Sequence, residues 1–128
     1  MEANAEKKLL LFGFDDLRGI LTVKTAMEPF GVEVVPVGRS DYGKTLASLA
    51  GLEENTGSGI SAGGVLPGRM AALCGLDAEL DRILPALSAA GVGPDCLKAV
   101  LTRHNRAWNV WRLYEELSGE DAAVRNRT

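Results

Sequence analysis

The segment 37–51, which reads VGRSDYGKTLASLAG, contains the pattern G-x-x-x-x-G-K-[ST] of the phosphate-binding loop. In such a loop the glycines let consecutive backbone N–H groups surround the phosphates, the lysine supplies a mobile positive charge, and the hydroxyl binds Mg²⁺ at a helix N-terminus. The residues that match are Gly38, Gly43, Lys44 and Thr45. They predict nucleotide binding, provided that they join a strand to a helix.

The same four residues also fit a purely structural interpretation. The chain is rich in glycine, so composition alone produces this pattern often. The helix after the loop is short, and the next apolar segment offers an aspartate for the metal, Asp77, only after an intervening Gly-Leu. In this interpretation Thr45 is simply the N-cap of the helix. We therefore treat nucleotide binding as an alternative function.

A second candidate site is the segment 102–108, TRHNRAW, which follows a predicted strand. Its cations beside a tryptophan can bind an anion, or can stack on and clamp a single nucleic-acid strand. No acidic residue occurs between residues 97 and 114, so the loop lies in a basic patch. The candidate ligand-binding residues of this loop are Thr102, Arg103, His104, Asn105, Arg106 and Trp108.

The segment 102–108 has a structural interpretation as well. Asn105 can close an Asx-type turn, and Trp108 can pack its ring over the end of the sheet. Asn109 can then cap the helix that follows. The residue types alone leave both interpretations open.

The chain offers little for catalysis. A nucleophile needs a base within hydrogen-bond reach and a third group that orients the base. His104 is the only histidine, and Cys74 and Cys96 lie in apolar segments where a thiol is buried and inert. Neither cysteine belongs to a C-x-x-C pair, and the carboxylates have no metal-ligand spacing. The sequence therefore indicates a non-enzymatic protein with reduced cysteines, no metal and no cofactor.

Four strands and four helices must position these loops. Apolar or β-branched runs predict strands at 7–14, 32–37, 68–76 and 96–102. Capping residues and helical spacing predict helices that begin at Asp15, Thr45, Asp77 and Asn109. Their predicted apolar faces consist of Leu17, Ile20, Leu21, Ala26 and Met27 in the first helix, Leu46, Leu49 and Ala50 in the second, Leu80, Ile83, Leu84 and Leu87 in the third, and Val110, Leu113, Tyr114 and Leu117 in the fourth.

The two halves of the chain share one pattern of elements. LFGFDD in the first half corresponds to LCGLDA in the second, and each half is predicted to contain a strand, a helix, a strand and a helix in that order. We predict an α/β fold in which a duplicated β-α-β-α unit forms a four-stranded, mainly parallel sheet flanked by four helices, because a helical crossover favours parallel strands. A mixed sheet is the alternative. The predicted boundaries are a single domain over 1–128, with repeats at 7–52 and 68–118, a linker at 53–67 and a frayed tail at 119–128.

In open parallel sheets, ligands bind in the loops at the carboxyl ends of the strands. A parallel sheet would therefore bring Asp41 and Tyr42 from the first half together with residues 102–108 from the second. The further polar residues of these strand-end loops are Asp15, Asp16, Arg39, Ser40 and Asp77. This convergence defines the candidate ligand-binding site, and it requires that all four strands point the same way.

Composition argues against several classes of function. The chain has 128 residues, of which 24% are charged and 46% hydrophobic, and its net charge is −3. That balance indicates neither a nucleic-acid-binding protein nor one bound to an anionic membrane. The apolar run at 9–12 is far too short to span a membrane or to serve as a secretion signal. We expect a cytoplasmic protein of one domain.

The segment 98–117, KAVLTRHNRAWNVWRLYEEL, resembles a bacterial family known as the domain of unknown function 3783. The family pattern there runs K-A-V-L-T-P-x-N-x-x-W-x-x-x-x-L-x-x-E-L, and Arg103 replaces its usual proline, which loosens the turn. The family has no assigned activity to carry over. In the fuller proteins that this chain resembles, the loop after the second strand begins Asp-Tyr, and Gly-Lys-Thr does not mark it. The residues that match the family pattern are Thr102, Asn105, Trp108, Leu113, Glu116 and Leu117.

Together these observations predict a non-enzymatic binding or regulatory domain. Its strand-end loops would recognise a small anionic ligand or a protein partner. Nucleotide binding at residues 38–45 is one alternative. Weak binding of single-stranded nucleic acid by residues 103–108 is the other.

Overall fold

The computed structural model describes residues 7–51, 66, 68–93 and 95–126. The strands are β1 (Lys8–Phe12), β2 (Glu33–Val37), β3 (Met70–Cys74) and β4 (Leu97–Val100). The helices are α1 (Leu17–Met27), α2 (Leu46–Leu49), α3 (Leu80–Ala89) and α4 (Val110–Asn126). Single 3₁₀ turns lie at Glu28–Phe30, Arg39–Asp41 and Asp77–Glu79. The predicted α/β fold with four strands and four helices is confirmed.

The four strands form one mixed sheet in the order β2-β1-β3-β4. β1 is parallel to β2, and β3 is parallel to β4, as expected for strands joined through α1 and α3. The central strands β1 and β3 are antiparallel, with Phe12 opposite Met70 and Lys8 opposite Cys74. The sheet is therefore mixed, which was the alternative predicted from the sequence, with two parallel pairs joined by one antiparallel pair. The crossover rule governs only strands joined through one helix, so it leaves the direction of β3 relative to β1 open.

Two helices cover each face of the sheet. Successive side chains of a strand point to opposite faces, so β1 contributes to both layers of the core. Leu9 and Leu11 pack toward α1 and α3, whereas Leu10 and Phe12 pack toward α2 and α4. All four are buried, which explains why the strand reads as an unbroken apolar run.

The buried face of α1 differs from the predicted one. Asp16, one residue later than predicted, is the N-cap and accepts a hydrogen bond from the Arg18 N–H at 3.2 Å. The predicted core residues Leu17 and Leu21 are 68% and 51% exposed. The buried stripe of the helix instead consists of Ile20, Val23 and Met27, and this spacing turns Leu21 toward solvent.

In α3, the 3₁₀ turn at Asp77–Glu79 replaces the first predicted turn of the helix. The helix buries Ile83 and Leu87, as predicted, whereas Leu84 is partly exposed. Helix α4 continues to Asn126, beyond residue 118 where the sequence indicated that a frayed tail would follow. The predicted linker at 53–67 lies outside the described residues except for Leu66, which is buried.

None of the described helices is both long and apolar enough to cross a membrane. Cys74 and Cys96 are buried and do not form a disulfide, as predicted. Burial raises the pKa of the Cys74 thiol to about 11, and it also raises the pKa of the Cys96 thiol. Both thiols are therefore protonated and unreactive at neutral pH in the folded protein.

Candidate functional site

The strand directions separate the loops that a parallel sheet would bring together. The carboxyl end of β1 lies beside the first residue of β3, because these two strands are antiparallel. The loops after β1 and β2 therefore leave the sheet at one end, and the loops after β3 and β4 leave it at the other. Asp15 and Asp16 thus lie at the opposite end of the sheet from Asp77. The predicted convergence of four strand-end loops is wrong, because it assumed that all strands point the same way.

Two of these loops nevertheless meet, because the chain after β2 turns back over the face of the sheet. Backbone hydrogen bonds of 2.9 to 3.1 Å join residues 42–47 to residues 106–110. They run from Leu46 N to Trp108 O, from Ala47 N to Arg106 O, and from Val110 N to Tyr42 O. The segment with Asp41 and Tyr42 therefore lies against the segment 102–108, by a route that does not depend on strand ends.

These hydrogen bonds use the N–H groups that a phosphate would need. At the N-terminus of α2, two N–H groups donate to backbone carbonyls of residues 106 and 108, and Ser48 N–H donates to Thr45 Oγ1 at 3.1 Å. Thr45 is thus the N-cap, and Lys44 Nζ forms a 3.0 Å ion pair with Asp41. Helix α2 has only four residues. The geometry of residues 38–45 therefore disfavours a phosphate loop.

Tyr42 serves the core. Its side chain is 2% exposed, and its hydroxyl accepts a 3.0 Å hydrogen bond from the Gly13 N–H. Its ring makes edge-on contacts with Phe12 and Trp111, with centroids 6.2 and 5.4 Å apart. Burial raises the pKa of the phenol. Tyr42 thus fixes the position of the loop, and a ligand could not contact its hydroxyl without displacing these neighbours.

The loop after β4 is held by its own polar side chains. Thr102 Oγ1 accepts hydrogen bonds from the backbone N–H groups of His104 and Asn105, both at 3.2 Å. The turn is therefore closed by the threonine hydroxyl, and Asn105 does not form the predicted Asx-type turn. The Asn105 side chain is buried and reaches back toward the strand. Its Oδ1 accepts from Thr102 N–H at 2.8 Å, and its Nδ2 donates to Val100 O at 3.0 Å.

These bonds place Asn105 at the outer edge of β4. Leu97 N–H donates to Arg69 O, and Leu101 N–H donates to Leu73 O, so these odd-numbered residues face β3. The backbone groups of residues 98, 100 and 102 therefore point away from the sheet. The Asn105 amide hydrogen-bonds to the Val100 carbonyl and the Thr102 N–H, as the backbone of a neighbouring strand would.

The Trp108 ring contacts the side chains of Arg112 and His104. The Arg112 guanidinium carbon is 4.5 Å from the centre of the Trp108 ring, and the His104 ring contacts it edge-on at 5.3 Å. Asn109 caps helix α4 and thereby fixes where Arg112 lies. Its Oδ1 accepts a hydrogen bond from the Arg112 N–H at 2.9 Å. These two contacts occupy part of the indole surface that base stacking would use.

A groove of about 290 Å³ runs between the outer edge of β4, the turn and α4. Three consecutive residues of the strand, 98–100, line it, and successive side chains of a strand point to opposite faces. The groove therefore follows the edge of the strand. Its other walls are formed by His104, Asn105, Trp108, Leu113, Glu116 and Leu117.

The surroundings of this groove are basic. Lys98 lines it and donates from Nζ to the carbonyls of Gly93 and Cys96, at 2.7 and 3.1 Å. A smaller cavity of about 170 Å³ is lined by residues 101–103 and Arg106. Glu116 is the acidic residue that lines the groove, and its carboxylate is 4.0 Å from Arg112 Nε. The site can thus accept an anionic group beside an apolar wall.

The predicted site residues divide into two groups. Tyr42 and Asn105 are buried and position the loops, whereas Arg103 and His104 are exposed. Sequence reasoning missed the edge of β4 and the apolar wall from α4. Ala99, Val100 and Leu117 have no chemical signature, and only the order of strands in the sheet reveals that β4 is an edge strand.

The fold and the groove define a class of protein, a small α/β domain with a mixed sheet and a basic groove at one edge. Among the residues that the structure describes, no three His, Cys, Asp or Glu side chains are grouped to hold a metal. Residues 73–124 match the family model of the Domain of unknown function (DUF3783). This match confirms the resemblance predicted from sequence, and it covers residues of the second half of the chain. No curated protein and no solved structure matches the chain.

Proposed function

We propose that this protein is a non-enzymatic binding domain that recognises an anionic partner at the groove beside β4. The observation that carries the proposal is the basic groove itself. Lys98 and His104 line the groove together with Glu116, and Arg112 stacks on its Trp108, although the chain as a whole has a net charge of −3. A local field opposite in sign to the net charge steers an anion to this surface and away from the rest of the protein.

The role of each residue follows from its position. Arg103 and Arg106 line the adjoining cavity and supply planar donors for a carboxylate or phosphate. Trp108 and Leu117 supply apolar contact area within the groove. Asp41, Tyr42 and Asn105 act indirectly, because they hold the turn and the segment across from it.

The test is a titration with acetylated hexaglutamate and, separately, inorganic phosphate, followed by intrinsic tryptophan fluorescence. Hexaglutamate should change the fluorescence, and its affinity should fall as salt is added. The double variant Arg103→Ala/Arg106→Ala should bind roughly tenfold more weakly, since charge-assisted hydrogen bonds are lost. Arg18→Ala, which removes an arginine from α1 on the other face of the sheet, is the matched control.

Two results would overturn the proposal. One is the absence of any fluorescence or thermal-shift response to either probe at millimolar concentration. The other is an equal loss of affinity in Arg18→Ala, which would mean that binding follows overall charge and not this groove.

We also propose that the two halves arose by duplication of one β-α-β-α unit. The pairing order is symmetric about the central β1 and β3, and the matched glycines Gly13 and Gly75 both follow a central strand with φ of 77° and 71°. Glycine is favoured there because other residues rarely adopt positive φ. A superposition of β1-α1-β2 on β3-α3-β4 should align these two glycines, and an offset between them would contradict the duplication.

A further inference from the structure

The two edges of the sheet differ in a way that bears on binding. At the β2 edge, Glu33 N–H donates to Lys7 O, so the backbone of residues 34 and 36 points outward. Residue 36 is a proline, which has no N–H to offer to another strand. At the β4 edge, residues 98 and 100 point outward and neither is a proline. Among the described residues, no other strand pairs with this edge.

Asn105 marks where this open edge ends. Its side chain donates a hydrogen bond to the Val100 carbonyl and accepts one from the Thr102 N–H. The Lys98 N–H and C=O and the Val100 N–H remain as the outward groups of β4, and the groove lies directly beside them. An extended segment could therefore form a ladder with β4 up to the point where the Asn105 amide already does so.

The two faces beside this edge have different chemistry. Leu97 and Ala99 pack toward α4, where Leu113 and Leu117 form an apolar wall. By alternation, Lys98 points to the other face, and among the described residues its ammonium donates to two backbone carbonyls. A strand added here would place one set of alternate side chains against the apolar wall and the other set beside Lys98.

We propose that the groove binds an acidic protein segment in extended conformation, with acidic and apolar residues in alternation, which adds a fifth strand to the sheet at β4. This inference rests on the proposed function and gives its anionic partner a class and a binding mode. Charge complementarity favours this occupant over a second copy of the chain. Two β4 edges brought together would set Lys98 and its basic neighbours against the same residues of the other copy.

The test uses three capped octapeptides of alternating Glu and Val. The first is unmodified, the second is N-methylated at every Val, and the third is N-methylated at every Glu. Only one edge of an added strand faces β4, so one methylated peptide should bind roughly tenfold more weakly while the other binds as the unmodified peptide does. A loss in one but not the other is expected only for strand addition.

Amide exchange gives an independent measurement on the protein. Saturation with the unmodified peptide should slow exchange of the Lys98 and Val100 amides. The Ala99 amide, which faces β3, should change little and is the internal control. Lys98→Gln should weaken binding of the Glu/Val peptide more than binding of a Gln/Val peptide, because the charge pair is lost only with the acidic peptide, whereas loss of the Lys98 hydrogen bonds to the Gly93 and Cys96 carbonyls is common to both.

The outcomes separate the two proposals. If all three peptides bind equally and the Val100 amide is unchanged, strand addition is wrong but the anionic groove stands. If neither these peptides nor hexaglutamate binds, both proposals fail. If sedimentation shows a dimer that the peptide does not dissociate and the Val100 amide is protected without peptide, the edge serves a second copy, which also overturns the inference.

Discussion

At the scale of single residues, Asn105 carries the most specific structural role in the candidate site. It is a buried polar side chain, and both of its hydrogen bonds go to backbone groups at the end of β4. Buried polar groups are costly when they are left unpaired. The presence of an asparagine at this position therefore has a physical explanation that is independent of any ligand.

Asn105→Ala should lower the free energy of unfolding by about 2 kcal/mol, because the Val100 carbonyl and Thr102 N–H lose their partners. Urea unfolding followed by circular dichroism measures this change. The matched control is Asn109→Ala, which removes the α4 cap and should cost about 1 kcal/mol. A stability of Asn105→Ala indistinguishable from the unsubstituted protein would show that the amide does not hold the strand end.

Residue types predicted part of this site. The basic patch, the cap at Asn109 and the turn in 102–108 follow from the sequence, because each depends on neighbours along the chain. The inward orientation of Asn105 could not be predicted, because its partners become available only when β4 ends at Val100. Local residue propensities do not indicate which edge of β4 lies at the outside of the sheet.

At the scale of elements, the backbone N–H groups at the start of α2 already have partners within the protein. The match at residues 38–45 is complete in letters, yet the N-terminal N–H groups of α2 bind the backbone of residues 106 and 108. Sequence cannot reveal this, because the second segment is distant along the chain.

We expect no increase in melting temperature when Mg-ATP or Mg-GTP is added at millimolar concentration. A ligand that bound the folded state would raise it by mass action. Differential scanning fluorimetry makes the measurement, with Lys44→Ala as the control. A rise that Lys44→Ala abolishes would restore the phosphate-loop interpretation.

The faces of the helices were predicted with mixed success for a related reason. The stripes of α3 and α4 that include Ile83, Leu87, Val110 and Leu113 are buried as predicted. In α1, Leu21 is apolar but faces solvent, since the helix is rotated so that Val23 meets the sheet. Hydrophobic spacing defines a broad stripe, and packing against the strands selects which part of it is covered.

At the scale of the whole molecule, the sequence predicts the two parallel strand pairs but not how these pairs associate in the sheet. Each β-α-β half forms the parallel pair that its crossover helix requires. The relative direction of the halves appears only in the antiparallel pairing of β1 with β3, two strands that no single crossover helix joins. Because the two halves are antiparallel, the candidate site lies at an edge of the sheet and not at converging strand ends.

The contact between Lys7, just before β1, and Glu79, just before α3, should make the global stability depend on pH. Glu79 contacts Lys7 and lies 3.4 Å from Arg82, and chiefly the hydrogen bond from Lys7 lowers the pKa of Glu79. A folded pKa below the unfolded value stabilises the protein above the unfolded pKa, and this contribution disappears as pH falls through the folded pKa.

Glu79→Gln should therefore be less stable than the unsubstituted protein at neutral pH, and the difference should shrink in acid. Urea midpoints across the acid range measure it, with Asp81→Asn in the first turn of α3, two residues further on, as a control. A difference that stays constant down to the lowest pH would mean that the charge of Glu79 does not contribute.

The proline in β2 has a consequence for growth of assemblies. A sheet with two open edges can act as a link, because each added strand leaves a further edge for the next copy. Here Pro36 offers no N–H at the β2 edge, so a further strand added there would lack one hydrogen bond of the ladder. If β4 adds a strand as proposed, the opposite edge disfavours continued growth into a fibre.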